Sequence, residues 1–148
     1  MRIVVMDDNP DIRKMLKTAL ESKGHEVFTF DNPKICPLQM IPVCRCEENE
    51  KCADLIITDI EMPEMDGFEF LENHRAKNCH CKDVFVMSGR LNRGDVERAT
   101  ALGCKTFHKP LQLAMLFDQV EQVERKISPE RRLRDWFLEV IPNGNSNK

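Results

Sequence analysis

"ADLIITDIEMPEMDG", residues 53–67, decides the fold of this chain. A β-branched apolar run ends on Asp59, turn chemistry follows in "MPEMDG", and "FEFLENHRAK" (68–77) reads as a helix. The same unit recurs on both sides. Upstream, "RIVVM" (2–6) is a short buried strand ending at Asp7. A helix follows it, capped by Asn9, opened by Pro10 and stopped at Gly24, with Ile12, Met15, Leu16, Ala19 and Leu20 at helical spacing. "EVFTF" (26–30) reads as a second strand. Pro33 opens a helix after it that Pro37 and Pro42 limit to a short or broken one. Downstream, "DVFVMS" (83–88) and "CKTFH" (104–108) are the fourth and fifth strands. They alternate with "RGDVERATALG" (93–103) and "LQLAMLFDQVEQVERKI" (111–127) as helices. Five strands alternating with five helical segments predict an α/β fold, a parallel sheet covered on both faces.

The 148 residues suit one domain with a short appendage. A formal charge of −3, from 22 basic and 25 acidic residues, argues against direct nucleic-acid binding. The apolar run before Asp7 is too short for a signal peptide, and no stretch reaches membrane-spanning length, so no membrane insertion is expected. The expectation is a cytoplasmic protein. Disulfides are disfavoured in that compartment, and seven cysteines, an odd number, fit a fully paired framework poorly.

In an open parallel sheet, functional groups gather at the carboxyl ends of the strands. Those ends carry Asp7 and Asp8, then Asp59, Ser88 and Lys109. Three crowded carboxylates repel one another, and a hard divalent cation such as Mg²⁺ relieves that. Lys109 and Ser88 add a positive charge and a hydrogen bond for a further anion, and a phosphoryl group fits the set. A P-loop nucleotide switch would need GxxxxGK[ST], which is absent. A dehalogenase-type phosphotransferase would want a second aspartate where Glu61 stands.

At this point the chain resembles the receiver domains of two-component response regulators, of the stand-alone, chemotaxis-regulator-like kind. The resemblance covers residues 2 to about 124 and rests on "MDDNP", "IITDIEMPEMDGFEFL", "VMSGR" and "FHKP", in order. It implies a flavodoxin-like doubly wound sheet of order 2-1-3-4-5. It further implies that Asp59 accepts a phosphoryl group from a histidine kinase or phosphotransfer protein. Asp8, the Asp59 carboxylate and the Glu61 backbone carbonyl would hold Mg²⁺, with Asp7 assisting through water. Ser88 and Lys109 would contact the phosphoryl oxygens, and Phe107 would be the switch aromatic. The expected role is a phosphoacceptor in a relay that signals to a downstream protein target, with self-catalysed transfer and autodephosphorylation at most, rather than an enzyme.

Past the receiver-like part (1–124), "SPERRLRDWFLEVIP" predicts an amphipathic helix within 125–141. Ser128 would be its cap, and Leu133, Trp136, Phe137 and Val140 its apolar face. Residues 142–148 read as a disordered tail. This helix, or the helix 4–strand 5–helix 5 face, offers a homodimer contact. The chain is read either as a stand-alone receiver or as one cut from something longer.

Two polar stretches concentrate thiols: "VCRCEENEKC" (43–52), within an insertion at about 36–52, and "NCHC" (78–81). They precede neighbouring strands, which lie about 4.8 Å apart, so both belong to the amino-terminal edge of the sheet, opposite Asp59. Four of Cys44, Cys46, Cys52, Cys79 and Cys81 are expected to hold a structural Zn²⁺. Free or redox-active thiols and disulfides are the competing readings, and a metal- or redox-sensing receiver the alternative function. Cys104 reads as core.

Overall fold

The structure, a computed structural model, describes residues 1–135. Five parallel strands form the sheet: β1 (Arg2–Met6), β2 (Glu26–Phe30), β4 (Leu55–Asp59), β5 (Val84–Ser88) and β6 (Lys105–His108). Their spatial order is β2-β1-β4-β5-β6, which is the expected 2-1-3-4-5 order. The connecting helices are α1 (Pro10–Glu21), the single turn α2 (Pro37–Met40), α3 (Gly67–Ala76), α4 (Arg93–Ala101) and α5 (Leu113–Arg125).

Strand alternation sorts the core into two layers, because successive side chains point to opposite faces. Ile3, Val5, Leu55, Ile57, Phe85 and Met87 meet Leu16 and Leu20 of α1 and Leu116, Val120 and Val123 of α5. Val4, Met6, Ile56, Val84 and Val86 meet Phe68, Phe70 and Leu71 of α3 and Ala99 of α4. The three central strands are buried at every position, as strands covered on both faces must be. Cys104 is buried in the second layer, as expected.

The segment between β2 and β4 carries little regular structure. After a 3-10 turn (Pro33–Ile35) and α2, the chain runs without helix or strand to β3 (Glu50–Lys51). Lys77, just past α3, anchors this segment by donating to the carbonyls of Leu38 (3.0 Å) and Gln39 (2.8 Å).

The described part of the expected C-terminal helix is a turn followed by a short strand, β7 (Arg132–Leu133). Ser128 does begin a turn, with the Arg131 amide donating to its carbonyl at 3.1 Å. Long-range partners then outcompete helix propagation. The amides of Arg132 and Arg134 donate to the carbonyls of Asn49 and Lys51, both at 2.8 Å, in a parallel ladder with β3. Arg131 pairs with the buried Asp54 at 2.8 Å, and the Arg2 guanidinium donates to the Arg134 carbonyl at 2.8 Å. A helix started at Ser128 would forfeit these bonds. Trp136, Phe137, Val140 and the expected tail lie outside the described residues.

Candidate functional site

The site lies where β1, β4, β5 and β6 end. Asp7 is wholly buried, Asp59 is 5% exposed, and Asp8, the next residue on β1's exit, is exposed. Ligand atoms of these three carboxylates lie within 4.8 Å of one another, among the described residues the one such group of acidic, histidine or cysteine side chains. Lys109 leaves β6 and places its Nζ 2.7 Å from Asp7 and 3.2 Å from Asp59. It is followed by a cis peptide bond to Pro110.

Local chemistry fixes each group. The Asn9 side chain caps α1 by accepting from the Asp11 amide at 2.9 Å, and the Asn9 backbone amide donates to the Asp7 carboxylate at 2.9 Å. Arg13, one turn into α1, donates to the Asp7 carbonyl at 2.7 Å. The Thr58 hydroxyl donates to the Asp59 carbonyl at 2.9 Å. Asp66 caps α3 by accepting from the Glu69 amide at 2.8 Å.

Gly67 is the tightest point. A Cβ built on it would fall 2.3 Å from the Asp59 carbonyl oxygen and 3.1 Å from the Ile60 Cα, while its amide donates to the Ile60 carbonyl at 2.8 Å. Both obstacles are backbone, so nothing can rotate away. Gly67→Ala is expected to cost about 2 kcal/mol of stability, read as a lowered urea midpoint, and to displace the end of β4 that carries Asp59.

The electrostatics follow from this crowding. Burial first, then the charge of Asp7, pushes the Asp59 carboxyl above its ordinary range; Lys109 and the Glu61 amide oppose the shift without cancelling it. For Lys109, burial alone would lower the ammonium's pKa. The hydrogen bond and charge of Asp7, then those of Asp59, hold it above the usual lysine value instead. The site is thus one positive charge facing a carboxylate cluster that wants more positive charge. A hard divalent cation with carboxylate oxygens as ligands fits that donor set.

Ser88 is buried, and its hydroxyl accepts from the Arg90 amide at 3.0 Å. Its carbonyl accepts from the Lys109 amide at 2.9 Å, tying β5's exit to β6's. Phe107 is half-buried with its ring centroid 5.0 Å from that of Phe85. The Glu61 amide, the backbone group opposite the expected carbonyl, faces the Asp59 carboxylate. The structure therefore brings Asp7, Asp8, Asp59 and Lys109 into one site, with Ser88 on the adjoining strand end. Sequence reasoning missed Gly67, Thr58 and Arg13. Only Gly67 had a readable signal, as the glycine closing "MPEMDG".

Residues 3–121 match the response regulator receiver domain family. The chain belongs to that family, whose members act as phosphoacceptors in two-component signalling. Over 122 residues it is 28% identical to the response regulator receiver protein CpdR of Brucella abortus, covering 82% of this chain and 95% of that one. Over 134 residues it is 27% identical to the transcriptional regulatory protein FlgR of Helicobacter pylori, covering 89% of this chain but 32% of FlgR. The chain thus spans about a third of FlgR's length. A two-component response regulator from Clostridium difficile superposes with a TM-score of 0.72 at 22% identity, over 86% of this chain and 98% of that structure. This last likeness bears on the fold alone.

Among the described residues, no helix is long and apolar enough to cross a membrane.

Proposed function

We propose that Asp59 is the phosphoacceptor, receiving a phosphoryl group from a histidine kinase or phosphotransfer protein, and that the phosphorylated form changes binding to a downstream protein target. The observation that carries this reading is the convergence of Asp7, Asp8 and Asp59 within 4.8 Å, with the Lys109 ammonium 3.2 Å from Asp59. A carboxylate held by burial and a neighbouring charge above its ordinary pKa is a better nucleophile than a solvated one, provided it stays ionised. Lys109 keeps it so. An Asp59 oxygen forms the new bond to phosphorus while the donor's phosphoryl-bearing atom leaves with the bond's electron pair, giving an aspartyl phosphate.

Asp7, Asp8 and Asp59, with the Glu61 carbonyl, would hold Mg²⁺. Bound there, the cation supplies charge neutralisation for the phosphoryl oxygens. Lys109 then has two carboxylates and an incoming anion to serve, and Ser88 stands one strand over with a hydroxyl able to donate to that anion. Occupation of Asp59 would draw on both, and Phe107 beside them would register the change in its packing on Phe85. Transfer is expected to be self-catalysed, with slow hydrolysis of the acyl phosphate and no turnover of a free substrate. A metal- or redox-sensing receiver has no support in the family match or the relatives.

The test is phosphorylation of the full chain by acetyl phosphate with Mg²⁺, followed by peptide mass analysis after reductive trapping of the acyl phosphate. Label on the peptide carrying Asp59, dependent on Mg²⁺, supports the reading; label elsewhere, or equal label without the metal, overturns it.

A further inference from the structure

The seven cysteines fall into two groups. Cys36, Cys81 and Cys104 are buried, while Cys44, Cys46, Cys52 and Cys79 are half-exposed. The four half-exposed ones, from two loops 27 residues apart at their nearest (Cys52 to Cys79), line one cavity on the flank of the sheet away from Asp59. Its volume is about 20 Å³, room for a single ion- or water-sized body.

Cys46 Sγ lies 3.6 Å from Cys52 Sγ, a non-bonded separation. Cys44 and Cys79 line the same cavity. Four thiolates at about 2.3 Å around a tetrahedral ion stand about 3.8 Å apart, close to the observed Cys46–Cys52 separation. The ring is not closed, since no three of these sulfurs lie within 4.8 Å of one another. Closing it requires an inward shift of 43–46, the stretch of chain with no helix or strand to resist it.

The fifth cysteine of the two loops is turned elsewhere. Cys81 touches the cavity's floor but is buried, and its sulfur faces the Asp83 carbonyl at 3.8 Å. His80, also at the cavity, has its Nδ1 taken by the Glu50 carbonyl at 2.8 Å. The charge of the wall matters too. Arg45, Lys77 and Arg134 line it and no carboxylate does. A divalent ion with four thiolates carries a net charge of −2, which Arg45 and Lys77 help to offset; Arg134 is itself paired with Glu50 at 2.9 Å.

We propose that Cys44, Cys46, Cys52 and Cys79 form a structural tetrathiolate site for one soft-ligand divalent ion of the Zn²⁺ class, fixing the 41–53 loop to the turn before β5. Each thiol gives up its proton on binding. The proposal is independent of the phosphoacceptor reading, because the site lies at the other end of the sheet and serves the fold.

The experiment titrates the reduced, metal-stripped full chain with Co²⁺ and follows thiolate-to-metal charge transfer and the visible bands of a tetrahedral site. One equivalent of Co²⁺, displaced by Zn²⁺, is expected. Cys79→Ser and Cys46→Ser should each weaken binding at least about 100-fold, while Cys81→Ala and Cys104→Ala should leave it unchanged. Absence of the charge-transfer band in the unsubstituted chain overturns the proposal, whatever the variants do. So does undiminished binding by Cys79→Ser, or a loss in Cys81→Ala equal to that in Cys79→Ser. A stable Cys46–Cys52 disulfide in the protein as purified without reductant would also overturn it.

Discussion

Asp59→Asn is expected to abolish phosphoryl uptake from acetyl phosphate and at the same time to raise the melting temperature at neutral pH. The two effects have one origin. The carboxylate is 7% exposed and sits beside the buried Asp7, so its charge is unfavourable in the folded chain even with Lys109 at 3.2 Å. The asparagine keeps the shape and removes the charge, and Lys109 retains its shorter bond to Asp7 at 2.7 Å. About 1 kcal/mol gained in a domain of this size moves Tm by about 3 °C. The sign in pH follows from the direction of the shift. A carboxyl whose pKa is raised by folding binds more protons folded than unfolded, so its charge costs stability as pH rises through the folded value. The cost vanishes in acid. The Tm advantage of Asp59→Asn over the unsubstituted chain should therefore be present at pH 7 and disappear below about pH 4. Thermal scans across that range check it. An unchanged or lower Tm at pH 7 would show that Lys109 already compensates Asp59 in full.

Arg131→Ala should produce the largest loss of stability among the changes away from the site, about 3 kcal/mol. Asp54 precedes β4 with its side chain wholly buried; one oxygen accepts from Arg131 at 2.8 Å and from the Arg2 amide at 2.8 Å, and the other has no partner. Removing the guanidinium leaves a buried carboxylate with a single amide for company. The double variant Asp54→Asn/Arg131→Ala should recover part of the loss, because the charge goes with its partner. Urea midpoints of the three variants measure the coupling, and Asp59 should phosphorylate as before in all of them without denaturant. Stability within 0.5 kcal/mol of the unsubstituted chain in Arg131→Ala would contradict the assignment.

The five strands were legible because each is a β-branched or aromatic run closed by an aspartate, serine or lysine, patterns that depend on neighbours in sequence. The acidic site was legible for the same reason: parallel strands share a carboxyl edge, so residues at their ends meet. What was not legible depends on register. "MPEMDG" marks a turn at Gly67 but does not announce that its Cα faces the Asp59 carbonyl, and nothing in "KTFHKP" says that Lys109 reaches Asp7 more closely than Asp59. The helix expected from Ser128 had sound local signals, yet the carbonyls of Asn49 and Lys51 and the carboxylate of Asp54 decided otherwise from 77 to 83 residues away. Two-residue strands such as β3 and β7 have no periodicity to read.

The pairing of β7 with β3 also sets a schedule. The Arg2 guanidinium meets the Arg134 carbonyl across 132 residues of sequence, and Asp54 meets its arginine across 77. Such contacts reward the chain only after the longest loops have closed. On a ribosome, the Asp59 edge can assemble as soon as β6 and α5 emerge, whereas the opposite edge waits for residue 134. Until then Asp54 lacks its guanidinium, and the carbonyls of Asn49 and Lys51 lack their amides. A nascent receiver would thus acquire its acidic edge first and its latch last.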